Sequence, residues 1–292
     1  MSMLDLPASA KATVLLDALP YIRSFSGSVI VVKYGGSAAS AGGEPQLALS
    51  SFATDVVLLR SVGMQPVVVH GGGPQIGALM ARLGKVPEFV DGHRVTDADT
   101  LEIARMVLVG SVNRDIVGAV NTHGPLAVGL SGEDARLIAV EPRDPALGYV
   151  GDVVAVDPLI LRKLLAEGLI PVLATIGSDV NGQAYNINAD TVAGAVAEAL
   201  SAEKLVFLTD VTGICSRPGD PHSLLGRLRA DELDSLVSSG AISGGMIPKA
   251  AACAHAVRHG VKGAHVLDGT VPHCLLVELL TSEGLGTMIT PS

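Results

Sequence analysis

Apolar runs closed by glycine punctuate the chain from Val29 onward. "SVIVVKYGGS" and "QPVVVHGGGP" each read as a buried strand, Val29 to Lys33 in the first, ending in a glycine turn. A helix is expected at about residues 46 to 62, and another after the second turn, with Pro74 in its first turn. "VDGHRVT" predicts a loop or short hairpin, followed by a long helix with Thr96 as its N-cap. "LAVGLSG" is a strand, "ARLIAVEPR" and "GYVGDVVAVD" are hairpin strands, "PLILRKLLAEG" is a helix and "LIPVLATIG" a strand. "YNINADTVAGAVAEAL" runs from a strand or turn into an Ala-rich helix, and "KLVFLTDVTGI" is a strand with a turn. Two helices joined by "SGGM" follow, then the strands "GAHVLDG" and "GLGTMI" with a helix at "HCLLVELLTS" between them.

Ahead of this alternation, residues 9–25 look amphipathic, with Val14, Leu15, Leu19 and Ile22 on one stripe. Pro20 is expected to kink or break that helix. Apolar strands without clean alternation indicate a sheet covered on both faces, so the fold class is α/β with a mainly parallel sheet. A soft boundary near residues 175 to 185 suggests two lobes on one continuous sheet.

Composition narrows the function. At 48% hydrophobic over 292 residues the chain can bury a large core. A net charge of −9 argues against general binding to nucleic acid or to an anionic membrane. No apolar stretch reaches the roughly 20 residues needed to span a bilayer. The three dispersed cysteines show no metal-ligand spacing and fit a reduced, cytoplasmic compartment. No basic region leads into an apolar run at the N-terminus, so no signal peptide is read there.

Ligands of open α/β sheets gather at the carboxyl ends of the strands. Both glycine turns lie there, Gly35-Gly36 after Lys33 and Gly71-Gly72-Gly73 after His70. They are either ordinary strand-to-helix turns or backbone cradles whose free N–H groups attract phosphate. Neither a Walker A loop nor a clean dinucleotide fingerprint is present. Lys33 closes an apolar strand, where it either reaches solvent or meets an anion. Lys249, opening an Ala-rich helix, opposes the helix dipole unless an anion favours it. Asp190 is either a simple helix cap or a carboxylate that fixes both lysines. Arg94 is a loop cation with a planar fork suited to a carboxylate, and His70 reads as a turn residue.

"VVKYGGS", "VVVHGGGPQI", "DGHRVT", "YNINADTVAGAVA", "LTDVTGI", "SGGMIPK" and "GLGTMI" together resemble, in order, the motifs of the amino-acid kinase family. "DGHRVT" and "NINAD" resemble its acetylglutamate-phosphorylating members most specifically, and the likeness runs from about residue 28 to the C-terminus. The resemblance implies a three-layer αβα sandwich with an open, mainly parallel sheet. It implies a helical extension (1–27), an N-terminal lobe (28–180) for acetylglutamate binding and dimerisation, and a C-terminal lobe (181–292) for ATP. Phosphoryl transfer from ATP to the side-chain carboxylate of N-acetyl-L-glutamate follows, with Mg²⁺ arriving on the nucleotide and no dedicated protein metal site. Lys33, Lys249 and Asp190 take the catalytic positions, and Gly36, Gly71, Gly72, Gly73, Arg94 and Asn186 the substrate positions. Thr209, Asp210, Gly213 and Lys249 border the nucleotide. The N-terminal helix is similar to that of arginine-inhibited hexamers built as trimers of dimers. There Tyr21, His273, Glu278, Glu283 and Gly286 are candidates for the effector L-arginine. Kinases of carbamate, aspartate or nucleotides share the lysine–glycine start and the triple-glycine turn, so they stay open as alternatives, as does an arginine-responsive protein without catalysis.

Overall fold

The computed structural model describes residues 7–35, 45–217, 220–242 and 244–292. The first half holds α1 (Ala8–Phe25), β1 (Val29–Tyr34), α2 (Pro45–Ser61), β2 (Gln65–His70), α3 (Gly73–Arg82), β3 (Phe89–Val90), β4 (His93–Arg94), α4 (Ala98–Val107), α5 (Asn113–Asn121), β5 (Ala127–Ser131) and β6 (Ile138–Pro142). Next come β7 (Gly151–Val156), α6 (Leu159–Ala166), β8 (Ile170–Ala174), β9 (Ile176–Ser178), β10 (Ala184–Asn186) and α7 (Ala189–Leu200). The chain closes with β11 (Lys204–Thr209), β12 (Arg227–Arg229), α8 (Ala230–Ser238), α9 (Met246–Arg258), β13 (Gly263–Asp268), α10 (Cys274–Leu280) and β14 (Thr287–Thr290).

Eight strands form one sheet in the order β12-β14-β13-β11-β1-β2-β8-β5. All neighbours are parallel except β13 with β14. The sheet runs unbroken across the soft boundary near residues 175 to 185. Its central strands are buried on both faces, and alternate residues therefore enter different cores. Ile30, Val32, Tyr34 and Val68 join one cluster with residues of α2, α4 and α5. Val31, Val67, Val69 and Phe207 join the other with residues of α6, α7, α8 and α9. The result is helix, sheet, helix in three layers. A four-stranded sheet, β10-β9-β6-β7, lies over the second layer and supplies Ile138, Val140 and Tyr185 to its core. Among the described residues no helix is long and apolar enough to cross a membrane.

Four local expectations change. Helix α1 continues through Pro20 rather than breaking there. A proline removes one backbone donor, and the helix keeps its remaining bonds on either side. The α1 stripe also buries only in part against its own chain: Val14, Leu15 and Leu19 are exposed, while Ile22 packs against the core with Ala18, Tyr21 and Phe25. The N-cap of α4 is Asp97, not Thr96. The Asp97 carboxylate accepts from the Thr100 N–H at 2.8 Å, while the Thr96 hydroxyl is taken by the Arg94 carbonyl at 2.7 Å. Finally, the expected long helix is two helices joined by a π-helical turn, Leu108–Val112.

His70 is a buried strand end, not a surface turn residue. Sharing the parity of Val68, it faces α5. Its Nδ1–H donates to the Gly71 carbonyl at 3.0 Å, and its Nε2 accepts from Asn113 Nδ2 at 3.1 Å. Neutral imidazole satisfies both contacts, and a second proton would confront the Asn113 donor. Burial is the main cause that holds its pKa down to about 4. In the unfolded chain it titrates near 6.5. The stability it contributes is thus fully present above about pH 6.5 and is lost as pH falls through about 4, amounting to about 3 kcal/mol at the acid end. His70→Gln is expected to narrow the gap between unfolding midpoints measured at about pH 5 and about pH 7.5. An unchanged gap would count against this assignment.

Candidate active site

Lys33 shares the parity of Val31, so the strand period directs it into the α7–α9 layer that Val31 enters. There it meets Asp190, the second residue of α7. Lys33 Nζ lies 3.1 Å from Asp190 Oδ1, an ion-pair distance. Lys249 Nζ, on the first turn of α9, donates to Asp190 Oδ2 at 2.9 Å. Lys33 and Asp190 are nearly excluded from solvent. Burial pushes the Asp190 carboxyl upward, yet the two ammonium groups outweigh it and hold its pKa below the ordinary carboxylate range. Two ammonium groups against one carboxylate leave a local excess of positive charge. The carboxylate also sits at the positive end of α7. Asn188 caps that helix, its side chain accepting from the N–H groups of Asp190 at 2.8 Å and Thr191 at 3.3 Å. Asp190 is therefore free of the capping duty. What favours a lysine early in α9 is this carboxylate on the neighbouring helix.

The triple glycine faces the same cluster. A Cβ at Gly71 would stand 3.3 Å from Ala189 Cβ at the start of α7. A Cβ at Gly72 would stand 2.8 Å from Leu108 Cδ2 and 3.2 Å from Val112 Cγ2, both on the π-helical turn. At Gly73, the first residue of α3, no atom comes within 4 Å. The bend is thus fixed by close packing on one side and open on the other. It opens on a cleft of about 240 Å³ that Lys33, Asp190, Gly71, Gly72 and Gly73 line together with Arg94 and Asn186.

Arg94 lies on β4, not in a loop, and the body of its side chain is held. Its guanidinium donates to the Gly73 carbonyl at 2.9 Å and to Met80 Sδ at 3.3 Å, and stacks over the Phe89 ring at 4.7 Å. Burial lowers its pKa. Asn186 on β10 holds a long contact of 3.5 Å to the Thr96 hydroxyl. Asn188, Leu108, Thr175 and Phe89 line the same cleft. Sequence reasoning omits them. Asn188 carries a usable signal, an Asx residue directly before a helix, whereas Leu108 is one leucine among many in an apolar run.

The other described candidates do not line this cleft. Gly36 lies outside the described residues. Thr209 and Asp210 stand at the carboxyl end of β11, beside β1, and the Thr209 hydroxyl donates to Asp210 Oδ1 at 3.1 Å. Gly213 has a packing cause of its own, since its φ is +146° and a Cβ would lie 2.7 Å from Leu224 Cδ1. Tyr21 is half-buried on α1, which packs against α10. His273 precedes α10 and pairs with the buried Asp55 at 2.6 Å. Glu278 is half-buried, its side chain nearly covered, paired with His265 at 2.7 Å and accepting from the Leu285 N–H at 2.8 Å. Burial raises the Glu278 carboxyl, and the His265 and backbone contacts more than reverse this, so its pKa is lowered. Glu283 is exposed. Gly286 is packed tightly, for a Cβ there would lie 2.1 Å from the Val266 carbonyl oxygen.

The model of the amino acid kinase family matches residues 28–268, leaving α1 ahead of the matched span. An acetylglutamate kinase of Symbiobacterium thermophilum is 51% identical over 295 positions, covering 98% of this chain and 99% of its own. N-acetylglutamate synthase from Neisseria gonorrhoeae, solved with coenzyme A and N-acetyl-glutamate, superposes with a TM-score of 0.84 at 28% identity over 96% of this chain. The same synthase solved with coenzyme A and L-arginine gives 0.82 at 29% identity. This chain spans 63% and 65% of the synthase chain in the two structures. Carbamate kinase from Giardia lamblia bound to AMP-PNP shares the fold, with a TM-score of 0.69 at 18% identity over 91% of this chain and 99% of its own.

Proposed function

The chain belongs to the amino acid kinase family, and from that premise we propose that it transfers the γ-phosphoryl group of ATP to the side-chain carboxylate of N-acetyl-L-glutamate. The product is N-acetyl-L-glutamyl 5-phosphate, an intermediate for arginine synthesis. The observation that carries this reading is Asp190 held between Lys33 and Lys249, beside the triple-glycine turn in a cleft that also contains Arg94 and Asn186. Relatedness of 51% over almost the whole length to an acetylglutamate kinase supports the substrate.

The chemistry asks for what these residues offer. A carboxylate attacking a polyphosphate brings like charges together, so catalysis is mainly positioning and charge neutralisation. Lys33 and Lys249 neutralise the phosphoryl in flight and the leaving phosphate oxygens, and Asp190 orients both. Backbone N–H groups of the glycine turns, with Gly72 and Gly73 in the second, surround the phosphoryl group. Arg94 and Asn186 grip the α-carboxylate end of the acceptor. No general base is needed, because a carboxyl group is already ionised near neutral pH. Mg²⁺ would arrive with ATP and neutralise phosphate charge, without a dedicated protein site. Thr209, Asp210 and Gly213 border the nucleotide, so residues 28–180 and 181–292 act as acceptor and nucleotide lobes. The free cysteines suit a cytoplasmic enzyme.

Regulation belongs to the same reading. In a single chain Leu15 and Leu16 of α1 are 72% and 65% exposed. An apolar face of this kind is covered when α1 helices of two subunits interlace, joining dimers into a hexamer. L-arginine then inhibits from a site beside α1 and α10, with Tyr21, His273, Glu278, Glu283 and Gly286 around it. That a synthase similar to this chain is solved with L-arginine makes this ligand the one to test.

A hydroxamate assay with ATP and N-acetyl-L-glutamate is expected to trap an acyl phosphate. Lys33→Ala should lower kcat by about 10²–10³-fold, the cost of losing one group that stabilises developing charge. No hydroxamate from the parent protein, or full activity in Lys33→Ala, sinks the proposal. Deleting residues 1–26 is expected to leave catalysis intact, reduce the oligomer seen by light scattering and abolish arginine inhibition. A truncated protein still inhibited by arginine defeats the regulatory part.

A further inference from the structure

The helices that present Asp190 and Lys249 also meet at their opposite ends, where none of the chemistry above operates. Glu198 lies in the last turn of α7, about 12 Å along the helix from Asp190 at 1.5 Å per residue. His255 lies in the last turn of α9 and His259 is its C-cap. The two histidines are four residues apart and share a face, with ring centroids 4.0 Å apart. His255 Nδ1 is 2.7 Å from Glu198 Oε1. One donor atom from each of the three residues lies within 4.8 Å of the others.

We propose that Glu198, His255 and His259 form a binding site for a divalent cation of the Zn²⁺ class, linking α7 to α9. Three features favour it. The donor set, two imidazoles and one carboxylate, suits Zn²⁺ and its neighbours in the transition series, while Mg²⁺ selects oxygen ligands. The His259 ring is already oriented, because its Nδ1–H donates to the His255 carbonyl at 2.8 Å and leaves Nε2 with its lone pair available. A backbone carbonyl holding the far nitrogen is the usual support of a metal-bound histidine. Two helix carboxyl ends also converge here, which favours a cation; Arg258 in the last turn of α9 is paired with Asp234, and Arg162 donates to the Ala199 carbonyl at 3.0 Å.

Ligands at about 2.0–2.1 Å from a tetrahedral ion lie about 3.3 Å apart. Small rotations of two exposed histidines close the remaining gap. The ion takes the place of the proton between His255 Nδ1 and Glu198; that proton passes to solvent while Nε2 takes one up, so the ring stays a neutral imidazole, and water fills the fourth position. Access is open, because Glu198 and His255 border a cleft of about 660 Å³ between α7, α9 and β7. Cation binding there fastens together the two helices whose other ends hold Asp190 and Lys249.

Titration calorimetry of the chelator-stripped full-length protein with ZnCl₂ tests this. The expected result is one ion per chain and a raised melting temperature. Glu198→Gln, His255→Asn and His259→Gln, made singly, should each weaken binding beyond the ~10–100-fold that loss of an outer-shell partner costs, and each should abolish the thermal shift. MgCl₂ should give neither signal. No uptake of Zn²⁺ by the parent overturns the proposal. Uptake undiminished in the Glu198 and His259 variants, as a thiol site at Cys215 would give, overturns it equally.

Discussion

A carboxylate excluded from water between two ammonium groups is the constraint around which this structure is arranged. Neither Lys33 nor Asp190 could be buried alone, because an isolated charge in a protein interior is costly enough to be avoided or neutralised. Breaking a buried pair by removing one partner typically costs about 3–5 kcal/mol. The pairing therefore ties the centre of the sheet to the starts of α7 and α9. It also leaves positive charge in excess, and that excess suits an anionic ligand. Structure and chemistry thus draw on the same three side chains.

The triple glycine follows from the same geometry. Valines carry β2 to the rim of the cluster, and the backbone must then turn between α7 on one side and the π-helical turn on the other. Side chains at Gly71 and Gly72 would meet Ala189, Leu108 and Val112. Gly73 meets nothing, and its carbonyl holds Arg94. The widened turn at Leu108–Val112 brings Leu108 against the glycines, which a regular helix of the same sequence would not ensure.

Strands and helices were legible wherever an apolar run had one dominant period, as in β1, β2, β8 and α7. Parity along β1 even indicates which layer receives Lys33, once the partners of Val31 are known. Pairings across long stretches of chain were not legible. Thr96 has the composition of an N-cap, yet its hydroxyl binds the Arg94 carbonyl and Asp97 takes the role. His70 looks like a turn residue until Asn113 is brought to its Nε2. Glu278 reads as an available carboxylate, and the fold supplies His265 as its partner. Gly213 and Gly286 sit in motif segments, although close backbone and side-chain packing at each is reason enough for glycine. The α1 stripe is amphipathic by period, but periodicity does not say whether an apolar face turns inward or toward another molecule.

The order of strands has a consequence for how the protein is made. β1 leaves the ribosome well before one of its two neighbours, β11, which follows more than half the length of this chain later, with Ile30 in register with Lys204. Until then the nascent sheet carries an open edge through its middle, with Lys33 at the end of that edge and α9 not yet available to cover it. Pairing so distant in sequence is slow and leaves strand edges exposed in the meantime. Premature termination anywhere before β11 yields a fragment that lacks the central seam.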